Sequence, residues 1–207
     1  MPTRSRGTRD ADGRPPTVTE IARRQQILDA TIAIIGRAGW SACTLQSVAD
    51  EIGVTKAAVI YHVGTKAGLV EQAYGFVINE FATFVHESVI AANTPMDSIV
   101  AFTQAHLDYM LDHPDHARLI AESVNDAHPT GIEDRPSTPS RTLPLIELID
   151  TARAAGHTHA DPAEPAAVVA TALTGMIDAS VAAWLTDSTF DMTAAGRLIR
   201  TCIHATV

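Results

Sequence analysis

The sequence predicts an all-α protein of about nine helices. Apolar residues recur at three- and four-residue spacing along most of the chain, and its Val, Ile and Thr runs fit a period of 3.6 better than one of 2. Helix-start signals stand before these runs: a hydroxyl or carboxylate residue as cap, then Pro or an acid in the first turn. Glycine closes several of them.

Residues 1–16 are rich in Arg, Gly and Pro and are expected to form a flexible basic arm. Thr17 with Glu20 makes a capping box, and the helix that follows places Ile27, Leu28, Thr31, Ile34, Ile35 and Ala38 on one face, ending at Gly39. Thr44 caps a short second helix with Leu45, Val48, Ala49 and Ile52 inward. Gly53 suits a left-handed turn, and Thr55 caps a third helix that turns Val59 and Val63 inward. From Lys66 to about Ala91 the spacing of Leu69, Ala73, Val77, Phe81, Phe84 and Val89 predicts one long helix of ~38 Å. Thr94-Pro95-Met96-Asp97 opens the next helix, to about Asp112, and Pro114 another, to about Asn125. Residues 127–140 hold three prolines and read as a loop. Helices are expected over about Arg141–Ala155, from Asp161-Pro162-Ala163-Glu164 to about Thr186, and from Asp191 to Ala205.

Composition bounds the function. The 207 residues are 46% hydrophobic and 19% charged, which suits a packed core. No apolar run is expected to reach the ~18 residues that span a bilayer. With no export signal read at the N-terminus, the two distant cysteines, Cys43 and Cys202, suggest reduced thiols in a cytoplasm. The net charge of −9 is uneven: residues 1–66 hold nine basic and six acidic groups, so +3, leaving −12 for the rest. One end of the chain is therefore suited to a polyanion. Its basic excess is small, so hydroxyls and helix N-termini must share any phosphate binding.

The stretch Thr44–Lys66 has the layout of a helix-turn-helix, which sets one helix into a DNA major groove. Thr44 lies at a helix N-terminus, where free N–H groups and a hydroxyl suit a phosphate. Gln46, one residue inside that helix, is placed to read a base edge. Thr55, Lys56 and Ala57 begin the recognition helix; Lys56 donates to guanine or phosphate, and the small Ala57 and Ala58 permit close approach to a thymine methyl.

In order and spacing these residues resemble the DNA-binding domain of TetR-type transcriptional regulators. The resemblance rests on Ile27-Leu28-x-Ala30, Gly39-Trp40, Thr44, Val48-Ala49, Gly53-Val54-Thr55, Tyr61-His62 and Lys66-x-x-Leu69. It implies a domain at 17–66 that binds double-stranded DNA, with Tyr61, His62 and Lys66 on phosphates, and a ligand-binding and dimerisation domain at 67–207. It also implies a homodimeric repressor, released from a near-palindromic operator by a small organic ligand, with no cofactor and no catalysis. The pocket falls to Phe102, His106, Tyr109 and Met110, which share one helix face. The dimer interface falls to Ala172, Gly175, Ala179, Leu198 and Ile199. Ile60 stands where the family often has Tyr, and Val63 where it usually has Phe; Ile60 cannot donate to a phosphate.

Two other readings exist. The nine histidines include His113-x-x-His116 beside Asp112 and Asp115, and His157-x-His159, spacings that could serve a metal-dependent helical enzyme. A ligand-binding protein without DNA affinity would also fit Ile60 and the low basic charge.

Overall fold

The computed structural model describes residues 17–123, 139–156 and 164–207. Among these are nine α-helices and no strand: α1 Val18–Ala38, α2 Leu45–Glu51, α3 Lys56–Val63, α4 Lys66–Ile90, α5 Pro95–Asp112, α6 Pro114–Ser123, α7 Pro139–Ala154, α8 Ala166–Thr186 and α9 Met192–Thr206. A short 3-10 turn, Trp40–Ala42, joins α1 to α2. The arginines at 4, 6, 9 and 14, most of the proline-rich 127–140 stretch, the Asp161–Ala163 start signal and His157 and His159 lie outside the described residues.

The first five helices begin by one device. Thr17, Thr44, Thr55, Thr65 and Thr94 each accept a backbone N–H through the side-chain hydroxyl. Each such cap satisfies one of the orphan donors that open a helix and contributes about 1 kcal/mol. Thr17 and Glu20 form the expected capping box. Gly39 and Gly53 have φ of 78° and 67°, where a Cβ would be strained, and both stand at turns the sequence marked.

Two boundaries differ from expectation. The last long helix starts at Ala166, not near Asp161. Pro165 is extended, with ψ of 142°, and proline disfavours the helical region for the residue before it, so α8 starts only after Pro165. The helix expected from Arg141 already begins at Pro139.

Helices α1, α4 and α6 pack on one another, α5 packs on α4, α7, α8 and α9, and α8 packs against α7 and α9. One apolar cluster runs from Ile27 on α1 to Val207, through Val48, Val59, Leu69, Leu107, Leu119, Ile149, Leu173 and Ile203. The core therefore crosses the expected boundary at Lys66 without a break. Ala38 is the one exposed residue of the face expected for α1. Helix α8 departs from the composition reading: its 21 residues are long and apolar enough to cross a membrane. Here Val169, Leu173 and Ile177 are buried in the bundle, and Asp178 receives Arg141 at 2.8 and 2.9 Å.

The seam between α1 and α6 is close. A Cβ on Gly36 would overlap the Asp115 side chain and lie 2.6 Å from its Cβ, whereas one on Gly75 of α4 would meet nothing within 4 Å. Because Asp115 Cβ cannot rotate away, Gly36→Ala should destabilise the fold by about 1–3 kcal/mol, while Gly75→Ala should stabilise it by roughly 0.5–1 kcal/mol. Urea titration of both variants checks the pair.

Candidate nucleic-acid interface

Helices α2 and α3 pack together and present opposite faces to the core and to solvent. Val48, Ala49, Val59 and Val63 are buried, while Thr44, Gln46, Thr55, Lys56, Ala57, Ile60 and Tyr61 are exposed. Residues 56, 57, 60 and 61 are spaced by one and four, so they form the outer stripe of α3. The buried valines fix the roll of α3, and that roll points the stripe outward.

The expected contact residues differ in how free they are. Thr44 caps α2, its hydroxyl accepting the Ser47 N–H at 2.9 Å, and Thr55 accepts the Ala58 N–H at 3.2 Å. The Gln46 amide donates to Asp50 at 2.7 Å, so a base edge must compete with that bond. Tyr61 is 72% exposed, with its ring against the edge of His62 at 5.1 Å. His62 is half-buried. Burial holds its pKa below the usual value, Arg24 lowers it further, and Glu20 partly opposes them, so the ring is neutral at pH 7 and donates one N–H.

Lys66 is tied inward. Its Nζ donates to the Trp40 carbonyl at 3.1 Å and lies 5.2 Å from the Trp40 ring centroid. An ammonium has three protons, so this tether leaves two for another acceptor. Arg24, which sequence reading passed over, donates to the His62 carbonyl at 3.2 Å. It places a cation at the C-terminal end of α3, where the helix dipole favours one. The two residues are 38 apart in sequence, and no local pattern joins them.

Two of the four residues expected to line a pocket, His106 and Tyr109, pack against aromatic rings of α4. Tyr109 and Met110 are buried, and Phe102 is partly buried on the same core. Phe81 lies 4.6 Å from His106 and 5.4 Å from Tyr109, with Phe84 at 5.5 Å from Tyr109. Burial, aided by the charge of Arg141, pushes His106 down to about 3. A cleft of about 450 Å³ lies elsewhere, between α5 and α9, lined by Leu107, Leu111, Met192, Arg197 and Arg200. A second, of about 280 Å³, lies where α1 meets the α5–α6 junction and is lined by Asp29, Asp112, His113, Asp115 and His116. There the rings of His113 and His116 stack with centroids 5.1 Å apart, and the Tyr109 hydroxyl meets His116 Nδ1 at 2.8 Å. Among the described residues, no group of three or more His, Cys, Asp or Glu is placed to hold a metal.

Of the expected dimer residues, Ala172, Gly175, Ala179 and Leu198 are exposed on α8 and α9, and Leu198 is 56% exposed. Ile199 is not on that surface. It is 1% exposed within a single chain, because the next position along a helix turns by ~100° and faces the core. It is a core residue.

A helix-turn-helix with an exposed recognition stripe, carried on a helical body, defines a class of DNA-contacting fold. Residues 27–73 match the family described as bacterial regulatory proteins, tetR family. The chain is 32% identical to the HTH-type transcriptional regulator BetI of Burkholderia lata over 87 residues, 42% of this chain and 45% of that protein. It is 25% identical to the HTH-type transcriptional repressor KstR of Mycobacterium tuberculosis over 168 residues, 79% and 71% of the two chains. The match thus spans under half the length of the BetI regulators. The fold agrees with the fatty acid degradation regulator FadR of Bacillus halodurans at a TM-score of 0.75 and 14% identity, covering 88% of this chain and 98% of that one. FadR of Bacillus subtilis, solved with stearoyl-CoA, gives 0.74 at 14% identity, with the same coverage of both chains. Residues 27–73 thus carry a domain of the tetR family of bacterial regulatory proteins.

The half-buried His106 gives a pH signature. Its folded pKa lies below the unfolded value of about 6.5, so the unfolded chain binds the extra proton between pH 6.5 and 3. The stability that the neutral ring contributes is present above pH 6.5 and is lost as pH falls through that window. Urea titrations of His106→Phe should lose up to about 1.4 kcal/mol per pH unit of that slope relative to the parent. Equal slopes would contradict the neutral assignment.

Proposed function

We propose that this chain is a homodimeric DNA-binding repressor that a small organic ligand releases from a near-palindromic operator. The observation that carries the reading is the outer stripe of α2 and α3, which lies inside the segment that matches the family. Residues 17–66 serve as the DNA-binding domain and 67–207 as the ligand-binding and dimerisation domain, in a protein that works in the cytoplasm.

Lys56 is the exposed cation of the stripe. Thr44, Thr55, Tyr61 and His62 add hydroxyl and N–H donors to phosphates, and Lys66 contributes through the two protons its tether leaves. Gln46 reads a base edge and Ala57 lies close to the groove floor. Ile60, 42% exposed, offers an apolar contact in place of a donor. Two α3 helices of a dimer would enter successive major grooves about 34–36 Å apart.

The dimer surface is the exposed stripe of Val168, Ala172, Gly175 and Ala179 on α8 with Leu198 on α9. Small side chains let two such faces approach closely. The ligand would be received among Phe102, His106, Tyr109 and Met110, where the apolar and aromatic surroundings suit an apolar body. The stearoyl chain of the stearoyl-CoA solved with the neighbouring FadR is of that kind. A ligand acts by binding one arrangement of the DNA-binding helices better than another, with a coupling of about 1–3 kcal/mol.

The test is fluorescence anisotropy with duplexes from the DNA upstream of its own gene. Binding should weaken steeply between roughly 50 and 200 mM salt. Lys56→Ala should cost about tenfold in affinity, and Gln46→Ala should relax preference at one operator position by about 1–3 kcal/mol without changing the salt slope. A parent protein that binds none of these duplexes at low salt would sink the reading. Leu198→Glu should give monomers in sedimentation; an unchanged dimer would move the interface elsewhere.

A further inference from the structure

The three-residue turn Trp40–Ala42 is where α6, α4 and α2 converge. Its N-cap, Gly39, supplies no side-chain hydrogen bond. A carboxylate from 82 residues away fills that role: Glu122 Oε2, at the end of α6, accepts the Trp40 N–H at 2.6 Å. On the other side of the same residue, Lys66 at the start of α4 donates to the Trp40 carbonyl and holds its charge over the indole. One residue is thus gripped by an anion at its N–H and by a cation at its C=O. Both bonds are charge-assisted, the stronger kind of protein hydrogen bond.

The grip continues into the DNA-facing helices. The Ala42 carbonyl of the same turn accepts the Ser47 hydroxyl of α2 at 2.9 Å, and Ser47 also donates its N–H to Thr44, the cap of α2. From Glu122 to α2 there is one short path: carboxylate, Trp40, Ala42, Ser47. Space along it is tight, since a Cβ on Gly39 would lie 3.3 Å from Glu122 Oε1. Two turns earlier on α6, at the same face, Asp115 occupies the space Gly36 leaves open. Helix α6 is therefore registered against α1 at Gly36 and against the turn at Trp40.

We infer that Glu122 and Lys66 are positioning residues that clamp the Trp40 turn and thereby tie the setting of α6 to the orientation of α2 and α3. A shift of α6 along α1 pulls the carboxylate off the Trp40 N–H and frees the turn that aims α2. The consequence for DNA rests on the DNA-binding reading above; the clamp itself does not.

Hydrogen exchange on the full chain tests it, with Glu122→Ala, which deletes the acceptor, and Glu122→Gln, which keeps an acceptor oxygen without the charge. In Glu122→Ala the Trp40 amide should exchange about tenfold faster, the size expected for losing one charge-assisted bond, and protection in 44–51 should fall with it. Exchange in the α5, α8 and α9 cores should stay unchanged, and Glu122→Gln should lie between parent and Ala. An unchanged Trp40 amide would overturn the clamp. Loosening confined to Trp40, or spread evenly over the whole chain, would overturn the coupling. Affinity for the upstream DNA should fall severalfold in Glu122→Ala with unchanged sequence preference; unchanged affinity beside a loosened α2 would also overturn the coupling. If the parent chain binds no DNA, the functional reading fails, and the exchange data still decide the clamp.

Discussion

Helix α1 is the constraint on which the rest depends. One face of a 21-residue helix serves two sets of neighbours: α2 beyond the turn on one side, α4 and α6 on the other. Ile27 and Ile35 are fully buried in a cluster that also contains Val48, Val59, Leu69 and Leu119. A core shared in this way leaves α2 and α3 no independent footing. Helix α2 packs on α1, and α3 rests on α2 and α4, with Val48, Val59 and Val63 in the shared cluster. Packed interiors shift between discrete arrangements more readily than they deform, so the inferred clamp would carry a displacement in the body to α2 and α3.

The surface this presents is chemically spare. Along the exposed stripe of α3 there is one lysine, a tyrosine, an isoleucine and an alanine. The second basic group of the segment, Lys66, is committed in part to Trp40, and Arg37 forms an ion pair with Glu51. Under the proposed function, caps and hydroxyls would therefore carry more of the phosphate binding than charge does. This restraint fits a chain whose larger part is strongly acidic, where long-range attraction to a polyanion would be weak.

What was legible in the sequence was local. Threonine caps, glycine turns and the 3.6-residue spacing act within a few residues of one another, and they located α1 to α6 and α9 closely. The inward faces of α2 and α3 followed from the same spacing, and so did the outward stripe. What escaped depends on pairs far apart in the chain. Glu122 meets Trp40 across 82 residues, and Arg24 meets His62 across 38. No spacing rule joins such partners, because only the packing of α1 brings them together. Apolar neighbours Leu198 and Ile199 look alike in sequence, and only the roll of α9 sends one outward and one inward. Pro165 was a missed local signal, since its effect on the preceding residue was outweighed by the capping pattern at Asp161.

Under the proposed function, this chain reads duplex DNA as a two-fold pair of helix-turn-helices. Selection from a pool of random duplexes with the full-length protein tests it most directly. Enrichment of a near-palindrome with half-sites about one helical turn apart is the predicted result. A pool that stays random, or a single unpaired half-site with no two-fold symmetry, would contradict it.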